Sequence, residues 1–570
     1  MILNNFISGG QIFLHKLRMF KQIMFYIILI SLFWGYLIAG YLYISKLRKQ
    51  NLTMGFSYAK AMMIEDLSVS FGKSRNKSKL KSKNILFNIQ GRSSYQKIVA
   101  IINEFLVIGG LIAFGLLLLI FIFWVKFGQL IKKDRLIEGG KILFAEEVAK
   151  YLKEQQRDSK ITIGKMPLVR DSETKHILVT GATGSGKTNL IHNILPQIVV
   201  QQHPVIVIDQ TGEMVAKYYQ KERGDVIFNP FDKRSHNWDF WQDCFDNNDN
   251  GMINDRLENF AKILFSFNRK KNVMNSDPFW ENSAEVIFTC LASYLKQKNQ
   301  QSIKTLNHLL RCSNVYDLRK KLSKTPAARY LDNSNNNTAS SILSVMATSA
   351  KPLSYLEKLP KKTAKFSLTK HFYDIKHNKG KGGWLFLATN PSKRELTLPL
   401  ISCLVELSIS LLMEIGIDQQ RRCWFVVDEL ANLGKLPALN LIMTEGRKYG
   451  ACVLAGMQSI NQLFENYGNY SGNIIFGQFG TKFFFRNSEP TIAKIISELC
   501  GTTTISRQQK NISFGANDFR DGISYTSYTE QEKNKLLVKY QDLAKLNVGQ
   551  CFVLLPETKV RLAKLQVPKI

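Results

Sequence analysis

Acidic residues are scarce in this 570-residue chain: 45 Asp and Glu stand against 77 Lys and Arg, a formal net charge of +32. That shortage argues against a basic partner and for an anionic one, nucleic acid or lipid head groups. It is sharpest over residues 1–145, where 5 acids face 20 bases, a net +15 that leaves +17 for the remaining 425 residues. Paired cysteine spacing is also lacking. The eight cysteines contain no CxxC, and none precedes Cys244, which speaks against a disulfide framework or a zinc ribbon and for reduced thiols in a cytosolic domain. Nothing after residue 500 has the look of an appended winged-helix DNA reader, and no long acidic tail is present. Charge itself is missing from two stretches. Ile23–Ile44 has none in 22 residues, and Ile98–Val125 has only Glu104 in 28.

At about 1.5 Å per residue each stretch can cross roughly 30 Å of hydrocarbon, so both are expected transmembrane helices. The first is too long for a signal-peptide core and has no small-x-small site after it. Two spans put the N-terminus and residues 126–570 on one side. Residues 46–97 are then an extracytoplasmic loop, provided the rest of the chain needs cytoplasmic nucleotide. The loop's 12 Lys and Arg against Glu65 and Asp66 oppose that orientation under the positive-inside rule. The run Lys73–Lys83 reads either as a solvated disordered stretch or as a contact for anionic lipid or an acidic partner.

The nucleotide requirement comes from His176–Asn189, HILVTGATGSGKTN. The β-type run Ile177-Leu178-Val179 leads into Gly181, Ala182, Thr183, Gly184, Ser185, Gly186, Lys187 and Thr188, which fits G-x-x-x-x-G-K-[ST], and a helical pattern follows. Glycines let the backbone turn tightly and aim its N–H groups at phosphates. Lys187 adds a point charge, the Thr188 hydroxyl is placed for Mg²⁺, and the helix N-terminus favours the anion. ATP and Mg²⁺ are the expected cofactors.

Pro204–Asp209 is an apolar run ending in a carboxylate, the pattern of a buried parallel strand. Asp209 either faces the nucleotide or caps the next turn. Val226-Ile227-Phe228 follows as a further strand. From Trp238 to Tyr373 the pattern turns helical, with Asp277-Pro278 as a helix start and Ala284, Ile287, Phe288, Leu291 and Leu295 at helical spacing. Strands resume at Trp384–Ala388. Leu398–Ile415 reads as a helix, and Cys423–Val427 as a strand ending in Asp428-Glu429. There Asp428 would hold the water shell of Mg²⁺ and Glu429 would activate water. A helix Leu439–Lys448 and a strand Cys452–Ala455 reach Gln458, read either as a γ-phosphate sensor or as an ordinary loop glutamine. Arg447 and Lys448 complement the preceding helix dipole. Ile161–Ile163 reads as an edge strand, Ser513–Glu532 as a polar stretch and Gln550–Leu555 as the last strand.

The expected organisation is a cytoplasmic N-terminus (1–22), a two-helix membrane domain (23–125), a linker with edge elements (126–165), and an α/β nucleotide-binding domain (166–237 and 374–570) with an inserted all-α subdomain (238–373).

Several further motifs accompany these: Glu173-x-x-His176, Asp209-x-x-Gly212-Glu213, Asn229-Pro230-Phe231-Asp232, Asp277-Pro278-Phe279-Trp280, Asp428-Glu429-Leu430 and Glu445-Gly446-Arg447-Lys448-Tyr449-Gly450. With them the chain resembles the conjugative coupling proteins of type IV secretion, the TraD/TraG-like membrane ATPases, over almost its whole length. The resemblance implies a RecA-like P-loop core and a homo-hexamer in the bacterial inner membrane with its ATPase domain in the cytoplasm. It further implies transfer of relaxase-bound single-stranded DNA, or of protein, to secretion channel proteins. By the same resemblance Arg447 reaches a neighbouring subunit's site, Gln458 belongs to a third motif, and Glu429, Arg447 and Gln458 are catalytic. A protein-docking receptor and a duplex DNA chromosome-partitioning translocase are the rival readings.

Overall fold

The computed structural model describes residues 2–44, 49–71, 89–131, 135–245, 255–267, 278–332, 336–360, 365–378, 380–513, 525–558 and 562–569. The chain divides into two compact units, Met1–Ile137 with Thr504–Lys533, and Glu138–Thr503 with Asn534–Ile570.

The first unit contains helices α1 (Ile2–Ile44), α2 (Lys49–Phe71) and α3 (Ile89–Ile131). Within them Leu17–Tyr43 and Ile89–Phe127 are long and apolar enough to cross a membrane. Phe25, Phe33, Phe114 and Phe123 face outward, as suits a helix surrounded by lipid. Small residues let α1 and α3 approach closely, since a Cβ added at Gly35 would lie 2.6 Å from that of Ala113. Glu104 accepts a hydrogen bond from Tyr43 Oη at 3.3 Å. The stretch 46–97 is not a loop throughout. α2 occupies 49–71 and α3 already begins at Ile89, because Ala59, Lys60, Ala61, Met62 and Met63 are strong helix formers. Lys73–Lys83 lies outside the described residues.

In the second unit, ten strands form one sheet: β1 (Ile142–Phe144), β2 (Ile177–Thr180), β3 (Val205–Asp209), β4 (Val226–Phe228), β5 (Leu385–Ala388), β6 (Cys423–Val427), β7 (Ala451–Met457), β8 (Thr481–Phe485), β9 (Gln550–Leu554) and β10 (Leu562–Gln566). Their order is β1-β10-β9-β8-β2-β7-β6-β3-β5-β4. The seven strands from β8 to β4 are parallel, while β9 lies antiparallel to both β8 and β10. Their apolar runs carry no alternation because both faces are covered: every residue of β2, β3, β5, β6, β7 and β8 is buried. α4 (Lys187–Val200) follows β2, α5 (Arg394–Glu414) follows β5, α6 (Pro437–Glu445) follows β6 and α7 (Ile460–Gln478) follows β7.

α5 lies within Pro391–Glu414, a third stretch apolar enough for a membrane span, but 83% of its most apolar window is buried against the protein, compared with 22% and 11% for the other two. It is a core helix. Between β4 and β5 the chain runs through helices Phe240–Cys244, Asp255–Ser266, Phe279–Gln297, Ile303–Cys312, Val315–Leu322, Asn336–Ser349 and Leu368–His377. Ala284, Ile287, Phe288, Leu291 and Leu295 are buried. Asp277 lies outside the described residues.

Four local expectations change. Ile161–Ile163 belongs to strand Asp158–Ile163, paired antiparallel with Met166–Val169 in a separate two-stranded sheet, because the turn at Gly164 and Lys165 closes a hairpin. The helix expected to reach Lys448 ends at Glu445 and continues as a 3₁₀ turn, Gly446–Tyr449. There Gly450 adopts φ +78°, and any Cβ would sit 2.4 Å from the Arg421 carbonyl oxygen. β10 follows Gln550–Leu554 as one further strand. Part of the polar stretch 513–532 is strand Tyr525–Leu536, whose alternation is masked by its polar composition.

Candidate functional site

Register assembles the site. β7 pairs Met457 with Thr180 of β2, and β6 pairs Val427 with Ala455 of β7. The residues that follow these strand ends, Gly181, Gln458 and Asp428-Glu429, therefore emerge side by side at the C-terminal edge of the parallel sheet. That edge is where ligands bind in open α/β folds.

Gly181 N–H donates to the Met457 carbonyl and Ala182 N–H to the Arg486 carbonyl, which anchors the start of the loop to both neighbouring strands. Gly184 and Gly186 take φ of +70° and +114°, and Gly186 opens α4. The N–H groups of that helix's first turn have no intrahelical partner and converge on the loop. Lys187 is buried at 7% exposure, and its Nζ donates to the Gly181 carbonyl at 2.9 Å and the Ala182 carbonyl at 3.2 Å. Burial pulls its pKa down, against the opposing pull of Glu429 and Asp428.

Thr188 Oγ1 lies 3.3 Å from Asp428 Oδ1. A hydroxyl and a carboxylate at that separation, beside an anion-binding loop, are hard oxygen donors of the kind magnesium takes. Burial raises the Asp428 pKa, with Lys187 and the Thr188 hydrogen bond opposing. Glu429 is half-buried, and burial pushes it up to about 7, partly offset by the Gln458 N–H that donates to its Oε1 at 3.3 Å. Gln458 also accepts from Thr183 Oγ1 at 3.2 Å, so it joins the loop to Glu429. Gln210 Nε2 holds the Glu429 carbonyl at 3.0 Å, and Asn432 Nδ2 in turn holds Gln210 Oε1 at 2.8 Å.

Asp209 does not enter this cluster. Its two oxygens accept from the N–H groups of Thr211, Gly212 and Val215 and from the Thr211 hydroxyl, so the capping alternative describes it. Arg447 is exposed on the 3₁₀ turn immediately before β7 begins, the opposite edge of the sheet from Lys187. This chain's own site does not include it. His176, at φ +61° in the turn before β2, accepts from Val453 N–H through Nδ1. Burial pushes it down to about 4, so it is a neutral tie between β2 and β7.

Sequence reasoning passed over three contributors. Arg394, the first residue of α5, is close enough to Glu429 to lower its pKa. His192 stands one turn beyond Thr188 on α4 and lies between Tyr218 Oη at 2.9 Å and Glu213 Oε1 at 3.0 Å; its i+4 spacing from Thr188 was a readable signal. The segment around β9 and β10 closes on the loop. Gly549 N–H donates to the Ser185 carbonyl at 2.9 Å, and Asn189 and Asn193 donate to the Pro568 carbonyl at 2.7 and 3.1 Å. No local pattern reports that long-range closure.

Comparison with known proteins follows the same lines. Residues 160–568 match the family described as type IV secretion-system coupling protein DNA-binding domain. The coupling protein TraD of Escherichia coli K12 is 31% identical over 422 residues, 74% of this chain and 56% of TraD. The type IV secretion system-coupling protein VirD4 of Bartonella henselae is 23% identical over 353 residues, 59% of this chain and 54% of VirD4. The chain thus spans little more than half the length of these relatives. Among solved structures, the unbound conjugative coupling protein TrwBdeltaN70 superposes with a TM-score of 0.63 at 24% identity, covering 76% of this chain and 93% of that one. The plasmid coupling protein TrwB in complex with ADP and Mg²⁺ gives 0.62 at 24% identity, covering 77% and 95%. The shared fold is a RecA-like P-loop core.

Proposed function

This chain belongs to the type IV secretion-system coupling proteins, and from that premise we propose that it is a membrane-anchored, hexameric ATPase that drives relaxase-bound single-stranded DNA toward a secretion channel. The observation that carries the reading is the convergence of Lys187, Thr188, Asp428, Glu429 and Gln458 at three adjacent strand ends. The substrate is MgATP, in keeping with the ADP and Mg²⁺ bound by TrwB. The loop amides and Lys187 hold the phosphates. Thr188 and Asp428 would hold the metal, which would neutralise phosphate charge. Glu429 takes the proton of the attacking water, and Gln458 keeps Glu429 and the loop in register. Arg447, remote from its own subunit's site, serves the site of the next subunit and stabilises charge in the transition state. The helices between β4 and β5, with one short parallel pair Asn237–Trp238 and Lys365–Phe366, form a mainly rather than wholly helical subdomain, and α1 and α3 anchor the chain in the inner membrane with the ATPase core in the cytoplasm.

The test is ATP hydrolysis by the chain in lipid nanodiscs, alone and with single-stranded or duplex DNA, with Glu429→Gln as the blank. Stimulation by single-stranded DNA that is lost in the blank is expected. Preference for duplex DNA would turn the reading to a partitioning translocase, and turnover indifferent to both, to a protein-docking receptor.

A further inference from the structure

The seventeen residues that separate Glu429 from Arg447, 430–446, cross the whole depth of the sheet, from its C-terminal to its N-terminal edge. Their first part, Leu430–Ala438, has little regular hydrogen bonding of its own: a 3₁₀ turn at Leu430–Leu433, then Gly434 to Leu436, then the N-terminus of α6. Side chains from α5 and α7 supply what it lacks. Asn466 Nδ2 donates to the Ala431 carbonyl at 2.7 Å and Ser402 Oγ to the Leu433 carbonyl at 2.8 Å. Tyr467 Oη accepts from Leu436 N–H at 3.0 Å, and Glu406 Oε1 accepts from Ala438 N–H at 2.9 Å. The last three of these bonds are buried, where a hydrogen bond fixes position most firmly and is most costly to break.

Both clamping helices begin at the nucleotide edge. α5 follows β5 and opens at Arg394, and α7 follows β7 and opens at Ile460, two residues after Gln458. Ser402 and Glu406 are four residues apart and lie on one face of α5. Two helices that begin at the nucleotide edge thus hold Leu430–Ala438, besides the chain itself. That segment leads into α6, and the 3₁₀ turn that follows α6 carries Arg447.

We propose that Glu406 and Tyr467 are positioning residues that fix Leu430–Ala438, so that the state of a subunit's own Glu429 sets the placement of the Arg447 it offers to its neighbour. This rests on the neighbour-directed role of Arg447 given above. Neither residue touches nucleotide; both act through α6.

Mixed assemblies of the full chain test the inference. Glu429→Gln subunits cannot hydrolyse ATP but can donate Arg447, and Arg447→Ala subunits have an intact site but no arginine to give. Mixing the two should recover ATP turnover that neither has alone. Tyr467→Phe, which keeps the ring and removes the acceptor, is then added to one partner at a time. Placed in the Glu429→Gln donor it should cut the recovered kcat about tenfold or more with KM unchanged, whereas in the Arg447→Ala recipient it should leave recovery intact. Glu406→Ala in the donor should behave alike, and Glu406→Gln, which keeps an acceptor oxygen, should restore most of the rate. Equal loss from donor and recipient, no loss from the donor, or failure of Glu406→Gln to rescue overturns the inference. If the mixture with Tyr467 and Glu406 both intact shows no recovery, the reading of Arg447 fails instead and takes this inference with it. Thermal unfolding of each variant separates misfolding from misplacement.

Discussion

Glu429 and Arg447 are the residues on which the proposed chemistry turns, and each yields a measurable expectation. A base must be ionised to work, and burial holds the Glu429 carboxyl up at about 7. Hydrolysis should therefore be lost as pH falls through about 7 and gained as it rises. In kcat/KM, which reports the free enzyme, a rising limb centred there is expected, and Glu429→Gln should leave no such limb; a limb that persists in Glu429→Gln would contradict the role. Arg447→Ala should cut turnover by about 10³–10⁵-fold while leaving the affinity for an ATP analogue unchanged in an equilibrium binding measurement, because the charge it is proposed to stabilise develops only in the transition state. Retained turnover would remove it from the mechanism. Lys187→Ala should lose both binding and turnover, since Nζ sits inside the loop that receives the phosphates.

Among the elements, the helical stretch between β4 and β5 depends on one buried acid. Asp243 is fully buried and accepts from Trp238 Nε1 at 2.7 Å, Ser367 Oγ at 2.7 Å, Leu368 N–H at 2.7 Å and Thr369 N–H at 2.9 Å. It thereby joins the start of the stretch to helix Leu368–His377 at its end. Asp243→Ala would strand four donors at once, a loss on the order of 3–5 kcal/mol. Thermal unfolding should record it as a large drop in midpoint, and an unchanged midpoint would deny Asp243 this role. α5 shows how an element's meaning depends on its surroundings. It is mainly apolar, and buried on every side from Thr397 to Ile409; composition alone leaves it open to membrane or core. The sheet on one side and helices Asp255–Ser266 and Leu368–His377 on the other decide for core.

For the whole molecule, the proposed two-pass orientation has a native control in Cys312, which is exposed and free, and in the absence of cysteine before residue 244. A membrane-impermeant maleimide applied to intact cells should leave the native chain unlabelled and should label Ser57→Cys, an exposed position on α2. Labelling of the native chain, or none of the variant, would reverse the orientation. Much at this scale is set by the sequence alone. The glycine loop, Lys187-Thr188 and Asp428-Glu429 are contiguous or follow apolar strands, so their identity and their place at strand ends are written locally. So are the two apolar runs inside α1 and α3, because length and lack of charge suffice. Tertiary structure alone decides which strands are neighbours, and hence that Gln458 touches both Thr183 and Glu429. It decides that Asp209 caps a turn, that Gly549 closes on the loop and Pro568 on α4, and that Arg447 lies at the far edge. These depend on register and on contacts between residues hundreds of positions apart, to which a periodicity read within one segment is blind.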